Sequence, residues 1–187
     1  GEFKTFWRNV TFAEDLHGSA EHLESIKFAK KFGIHHVLAV KGAGFDGVLI
    51  QAIDGPVIML DRDTSKNITK LQATGHEIFH ELVKQGDPEA LKLLAMVDPS
   101  SPVVKAYQHS LDLANGEIGS TSIDTTVNEI AADYFGGVLT RTLADGSTIR
   151  LKDSFRSPVR AFEVQMTLTS QALRVIKYMA KRGPPNI

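Results

Sequence analysis

The sequence predicts an α+β fold, with a short N-terminal mixed sheet followed by a mostly helical C-terminal half. Three observations predict it. Short apolar runs without helical spacing cluster before residue 62. From about residue 66 the apolar positions recur at helical intervals. Strands that come early and helices that come late argue α+β rather than a wound α/β sheet. A chain of 187 residues is most simply one domain, 1–187, large enough to bury a core.

Residues 20–32 have the pattern of an amphipathic helix, stopped by Gly33. "HHVLAV" (35–40) reads as a strand and "KGAGFDG" (41–47) as a glycine-rich turn without phosphate-loop spacing. "VLIQAI" and "PVIML" flank Asp54-Gly55, a hairpin signal. Pro56 marks the second of these as a strand beginning or an edge. Helices are then expected over 66–85, 88–97 and 101–114. "NGEIGSTS" (115–122) reads as a loop, 123–143 as a long helix, 145–151 as a turn with a short strand, and 157–182 as a final helix. Residues 183–187 are expected to form a flexible tail. Gly1-Glu2-Phe3, with no leading methionine, reads as a cloning remnant ahead of an excised domain.

Composition excludes several classes of function. A formal net charge of -1 gives no bulk attraction to nucleic acid or anionic membrane. The absence of cysteine removes disulfides, iron–sulfur clusters and thiol catalysis, so a zinc site must be built from His, Asp or Glu. It leaves the compartment open. No apolar run reaches membrane-spanning length, and the N-terminus lacks the order of a signal peptide. The expectation is a soluble chain, cytoplasmic or delivered as part of a larger protein.

"ATGHEIFHEL" (73–82) carries the pattern H-E-x-x-H at His76, Glu77 and His80. Residues four apart lie one turn above another on the same helix face, so two imidazoles can meet one ion. Glu77 projects about 100° away, beside such an ion, where a carboxylate can take a proton from water. Leu71, Gly75, Ile78, Phe79, Leu82 and Val83 form the apolar stripe of this helix, and the histidines fall beyond its edge. The bland alternative is a helix with two solvent-facing histidines. A catalytic zinc centre needs a third protein ligand. "VNEIAADYFGG" (127–137) offers Glu129 and Asp133, again four apart, on a face shared with Thr126, Gly136, Gly137 and Thr140. Ile123, Val127, Ile130, Tyr134, Phe135 and Val138 occupy the opposite, apolar side.

H-E-x-x-H followed by N-E-x-x-A-D-x-F-G resembles the glutamate-zincin (gluzincin) metallopeptidases, the thermolysin-like group. The second motif is also similar to that of the small ImmA/IrrE-type peptidases. The resemblance covers about 20 residues and implies a zincin-like fold. It further implies Zn2+ held by His76, His80 and Glu129, Glu77 as general base, and Asp133 as an outer carboxylate hydrogen-bonded to a zinc-bound histidine. The activity implied is peptide-bond hydrolysis of a protein or peptide substrate. In zincins an edge strand ahead of the metal helix pairs with extended substrate, and 56–60 is the expected edge here. Two departures stand out. Glu129 follows His80 by 49 positions, a longer gap than in thermolysin-like enzymes. The histidine that a large C-terminal domain supplies to the transition state also has no matched position. Tyr107, His109 and Tyr134 are the candidates for that donor. Two other readings stay open: a regulatory or binding module with a very narrow protein substrate, and a toxin or effector domain on the same scaffold.

Overall fold

The computed structural model describes residues 11–12, 19–41, 47–52, 55–61 and 68–168. The expectations for 1–3, for most of the 41–47 turn, for the final helix beyond residue 168 and for the 183–187 tail lie outside these residues. The fold is α+β as the sequence predicts, with a small N-terminal mixed sheet and a mostly helical C-terminal half. Two compact units divide it, 1–78 and 79–187, and the boundary falls inside one continuous helix.

In the first unit the strands are β1 (Thr11–Phe12), β2 (His36–Lys41), β3 (Gly47–Ala52) and β4 (Gly55–Asp61), in the spatial order β1-β2-β4-β3. β3 and β4 form the expected hairpin, with Leu49 opposite Ile58. β2 and β4 run parallel, with Leu38 opposite Met59. The expectation that 56–60 forms an edge is therefore corrected. β4 is bonded on both sides, and among the described residues β3 is the outer strand on that side. The cause is legible in the side chains. Ile58, Met59 and Leu60 are all 0% exposed, the unbroken apolar run of an interior strand, whereas Val48, Leu49 and Ile50 are only half-buried. Pro56, which has no N–H to give, sits at the first turn of the ladder, where a missing donor costs least.

Helix α1 (Ala20–Lys30) lies against β2 and is capped by Ser19, whose hydroxyl accepts from the His22 N–H. Helix α2 (Lys70–Lys84) starts at a reciprocal capping box. The Gln72 N–H donates to the Thr69 hydroxyl at 3.1 Å, and the Thr69 N–H donates to the Gln72 side chain at 2.9 Å. A Cβ placed on Gly47 would stand 3.6 Å from the Cβ of Ala73, so the start of β3 is packed against the first turns of α2.

The second unit continues from α2 through α3 (Pro88–Ala95), α4 (Pro102–Asn115) and α5 (Ile123–Phe135), then the antiparallel pair β5 (Thr140–Thr142) and β6 (Thr148–Arg150), a 3-10 turn (Leu151–Ser154), and helical backbone over 158–168. Asp87, Ser101 and Ser122 cap the three helices, and Pro88 and Pro102 stand at first-turn positions where their missing N–H is harmless. The expected helix over 123–143 is shorter. It ends at Phe135 because Gly137 adopts φ +93, a conformation open to glycine at low cost. The Val138 N–H then bonds back to the Asp133 carbonyl at 3.0 Å and the Gly137 N–H to that of Tyr134 at 3.1 Å, closing the helix end. Gly136-Gly137, expected on the carboxylate face of a longer helix, thus stops it instead.

The core of this unit is built from Phe79, Leu93, Val104, Ile130, Leu151 and Ala161, all at 0% exposure. The Phe79 and Phe135 rings sit 5.8 Å apart and join α2 to α5. Among the described residues no helix is long and apolar enough to cross a membrane.

Candidate metal centre

The face that α2 turns inward decides where the motif side chains point. Thr74, Ile78 and Phe79 are 0% exposed and Leu82 is 9% exposed, so they form the buried stripe. Leu71, expected in that stripe, is 38% exposed, while Glu81 is buried and accepts from the Gln85 amide at 3.0 Å. His76, Glu77 and His80 are half-buried, at the border between core and solvent. This is the exposure a ligand set needs, since the backbone is held while the ring nitrogens stay reachable.

Helix α5 brings the partner. Ile130, Ala131, Ala132, Asp133, Tyr134 and Phe135 are all buried, so its C-terminal half is enclosed on every side. Glu129, one turn before Asp133, is half-buried. The His80 Nε2 and Glu129 Oε1 atoms are 3.2 Å apart. His76, His80 and Glu129 each offer a ligand atom, and none of these atoms is more than 4.8 Å from another. His76 and His80 share one continuous helix, so their relative placement is fixed by helical geometry.

The donor set fits a divalent ion. Donors at about 2.1 Å from a tetrahedral centre stand about 3.4 Å apart, which is the spacing His80 and Glu129 already have. The third donor, from His76, lies within 4.8 Å of both. Two imidazole nitrogens and one carboxylate oxygen suit zinc and other first-row divalent ions alike. The three residues could therefore hold a metal ion, and the donor set by itself does not select which.

Asp133 is 2% exposed, and a buried carboxylate is costly unless it is well bonded. The Tyr107 hydroxyl on α4 donates to its Oδ2 at 2.7 Å, and Arg141 Nη1 on β5 donates to the same oxygen at 3.2 Å. The Arg141 guanidinium also lies 5.7 Å from the centre of the Tyr107 ring. Burial, and then the negative charge of Asp133, hold the Tyr107 hydroxyl well above the usual tyrosine range, so its proton stays in place to be donated.

The three residues named as possible transition-state donors are placed differently from one another. Tyr107 is 3% exposed and its proton is directed at Asp133. Tyr134 is 6% exposed and its ring packs on Phe155 with centroids 4.7 Å apart, and burial raises its hydroxyl above the usual range. His109 lies on the exposed side of α4; Asp145 is held below the usual carboxylate range chiefly by the hydrogen bonds it accepts from Ser147, with His109 a minor contributor. Sequence reasoning missed Arg141 altogether. It belongs to no motif and reaches Asp133 because the Gly137 turn reverses the chain, so the Gly-Gly pair was the one available signal.

Comparison with protein-family models, with curated proteins and with solved structures finds no match for this chain.

Proposed function

We propose that this chain is a zinc-dependent metallopeptidase that hydrolyses internal peptide bonds, with a site of the gluzincin kind. The observation that carries the reading is the convergence of His76, His80 and Glu129, drawn from two helices whose motifs are 49 positions apart. A solvated helix with two chance histidines would give no reason for a half-buried glutamate from a distant helix to meet them.

His76, His80 and Glu129 would hold the ion, and zinc bound there would supply Lewis-acid polarisation and lower the pKa of water toward ~7. Glu77 follows His76 directly and is half-buried on the same helix. Its carboxylate takes a proton from the water whose oxygen bonds to the scissile carbonyl carbon. As the C–N bond breaks, the carboxylate returns that proton to the departing amine. Asp133, as an outer carboxylate, fixes the orientation of a ligand imidazole. β3 is the strand proposed to pair with extended substrate. It is the outer strand of its side among the described residues, and its start packs against the turn of α2 just before His76.

The test is cleavage of a mixed peptide library by the purified chain, read by mass spectrometry. Internal cleavage is expected to disappear when a chelator strips the metal and to return with stoichiometric zinc. Cleavage that persists undiminished in verified metal-free protein would refute the reading.

A further inference from the structure

Side chains from two other elements converge on a single oxygen atom of Asp133. Tyr107 lies 26 residues before Asp133 and Arg141 lies 8 after it, yet both donate to Oδ2. We propose that Tyr107 and Arg141 are positioning residues of the metal centre: by gripping Asp133 they lock the face of α5 from which Glu129 projects, and so tighten metal binding. The inference rests on the metal-centre reading above and adds to it two residues that touch neither metal nor substrate.

Asp133 is one turn beyond Glu129 on the same face of α5, so a restraint on Asp133 restrains the backbone that carries Glu129. Glu129 has a long side chain, and its approach to His80 at 3.2 Å holds only while α5 keeps its rotation and height. The Phe79–Phe135 contact anchors the apolar side of α5 to α2. On the carboxylate side the corresponding anchor is the Tyr107–Asp133–Arg141 group, which ties α5 to α4 and β5. The grip is also internally braced, because the guanidinium stands over the tyrosine ring while both reach the same oxygen. A ligand set held in place before the ion arrives gives up less freedom on binding it; partners bonded directly to metal ligands commonly change metal affinity 10- to 100-fold, and these two act one residue further out.

Tyr107 is the cleaner probe. Tyr107→Phe removes one hydroxyl and keeps the buried ring. The experiment titrates the full chain with Zn2+ against a chromophoric chelator at neutral pH, with circular dichroism confirming that each metal-free variant is folded. Tyr107→Phe is expected to weaken zinc binding about tenfold. Arg141→Gln is expected to do the same, and Arg141→Lys to recover part of the loss by restoring a cation beside Asp133. Arg141 is partly exposed, so its variants keep the test alive if Tyr107→Phe fails to fold. The visible absorption of Co2+-loaded protein gives a second readout, since a displaced Glu129 alters the ligand field. A merely structural role would lower the melting temperature while leaving zinc affinity and the Co2+ spectrum of the folded protein as in wild type, and that result overturns the proposal. Wild-type protein that takes up no zinc overturns the parent reading and this one with it, and is seen before any variant is compared.

Discussion

Glu77→Gln is expected to keep the metal and to lose peptide hydrolysis by about 100- to 10,000-fold, the range over which a positioned acid–base group contributes to rate. The substitution preserves size and hydrogen-bonding shape but removes the group that accepts a proton. Glu77 sits between the two histidines in sequence and is half-buried like them, so the amide fits where the carboxylate was. It is not among the three residues whose ligand atoms converge, which is why metal content should be unaffected. Parallel measurement of zinc content and of cleavage rate, on wild type and variant, separates the two effects. A variant that retains full activity would remove Glu77 from the mechanism. One that loses its zinc would make it part of the ligand set.

The largest effect on folding is expected at the residue just before His80. Phe79 is 0% exposed and its ring meets that of Phe135. Phe79→Ala leaves a cavity in a close-packed region and should cost about 3–5 kcal/mol. A domain of this kind has roughly 5–15 kcal/mol of stability in all, so the variant stands near the edge of folding. Urea unfolding should be followed in the presence of a chelator, because a bound ion stabilises the folded state by mass action and would mask part of the loss. A change below about 1 kcal/mol would mean that the junction of α2 and α5 is not packed as described. Phe79 and His80 are thus adjacent in sequence with opposite duties. One pins the helix, and the other is held out at the border of the core.

Much of this was legible in the sequence, and the reasons differ from element to element. The α2 helix announces itself through helical spacing, and its phase follows from Ile78 and Phe79 facing inward. The pairing of His80 with Glu129 could be anticipated only through motif resemblance, since no local rule joins residues 49 apart. The edge expected at 56–60 rests on the zincin resemblance, while the unbroken apolar run after Pro56 points to an interior strand. That run marks a strand covered on both faces, and the proline lies before the part of the ladder that matters. The helix expected over 123–143 is too long because Gly136-Gly137 is counted on its carboxylate face instead of as its end. A glycine pair after a helical pattern is first of all a stop. Arg141 and the duty of Tyr107 could not be read at all. They depend on where the chain returns after that stop, which is a property of tertiary packing and not of periodicity. Leu71 stands outside its expected stripe for the same reason: a helix wheel orders residues around an axis but does not say how far a neighbouring element reaches.

The central claim is that His76, His80 and Glu129 form a metal centre. Its most direct test is the metal content of the purified chain by plasma mass spectrometry, with His80→Ala and Glu129→Ala measured alongside. The prediction is about one zinc per wild-type chain, lost in both variants while circular dichroism shows each of them folded. Wild-type protein that holds no metal after zinc is supplied and excess is removed would contradict the account, and would leave the 3.2 Å contact between His80 and Glu129 as an ordinary hydrogen-bonded pair.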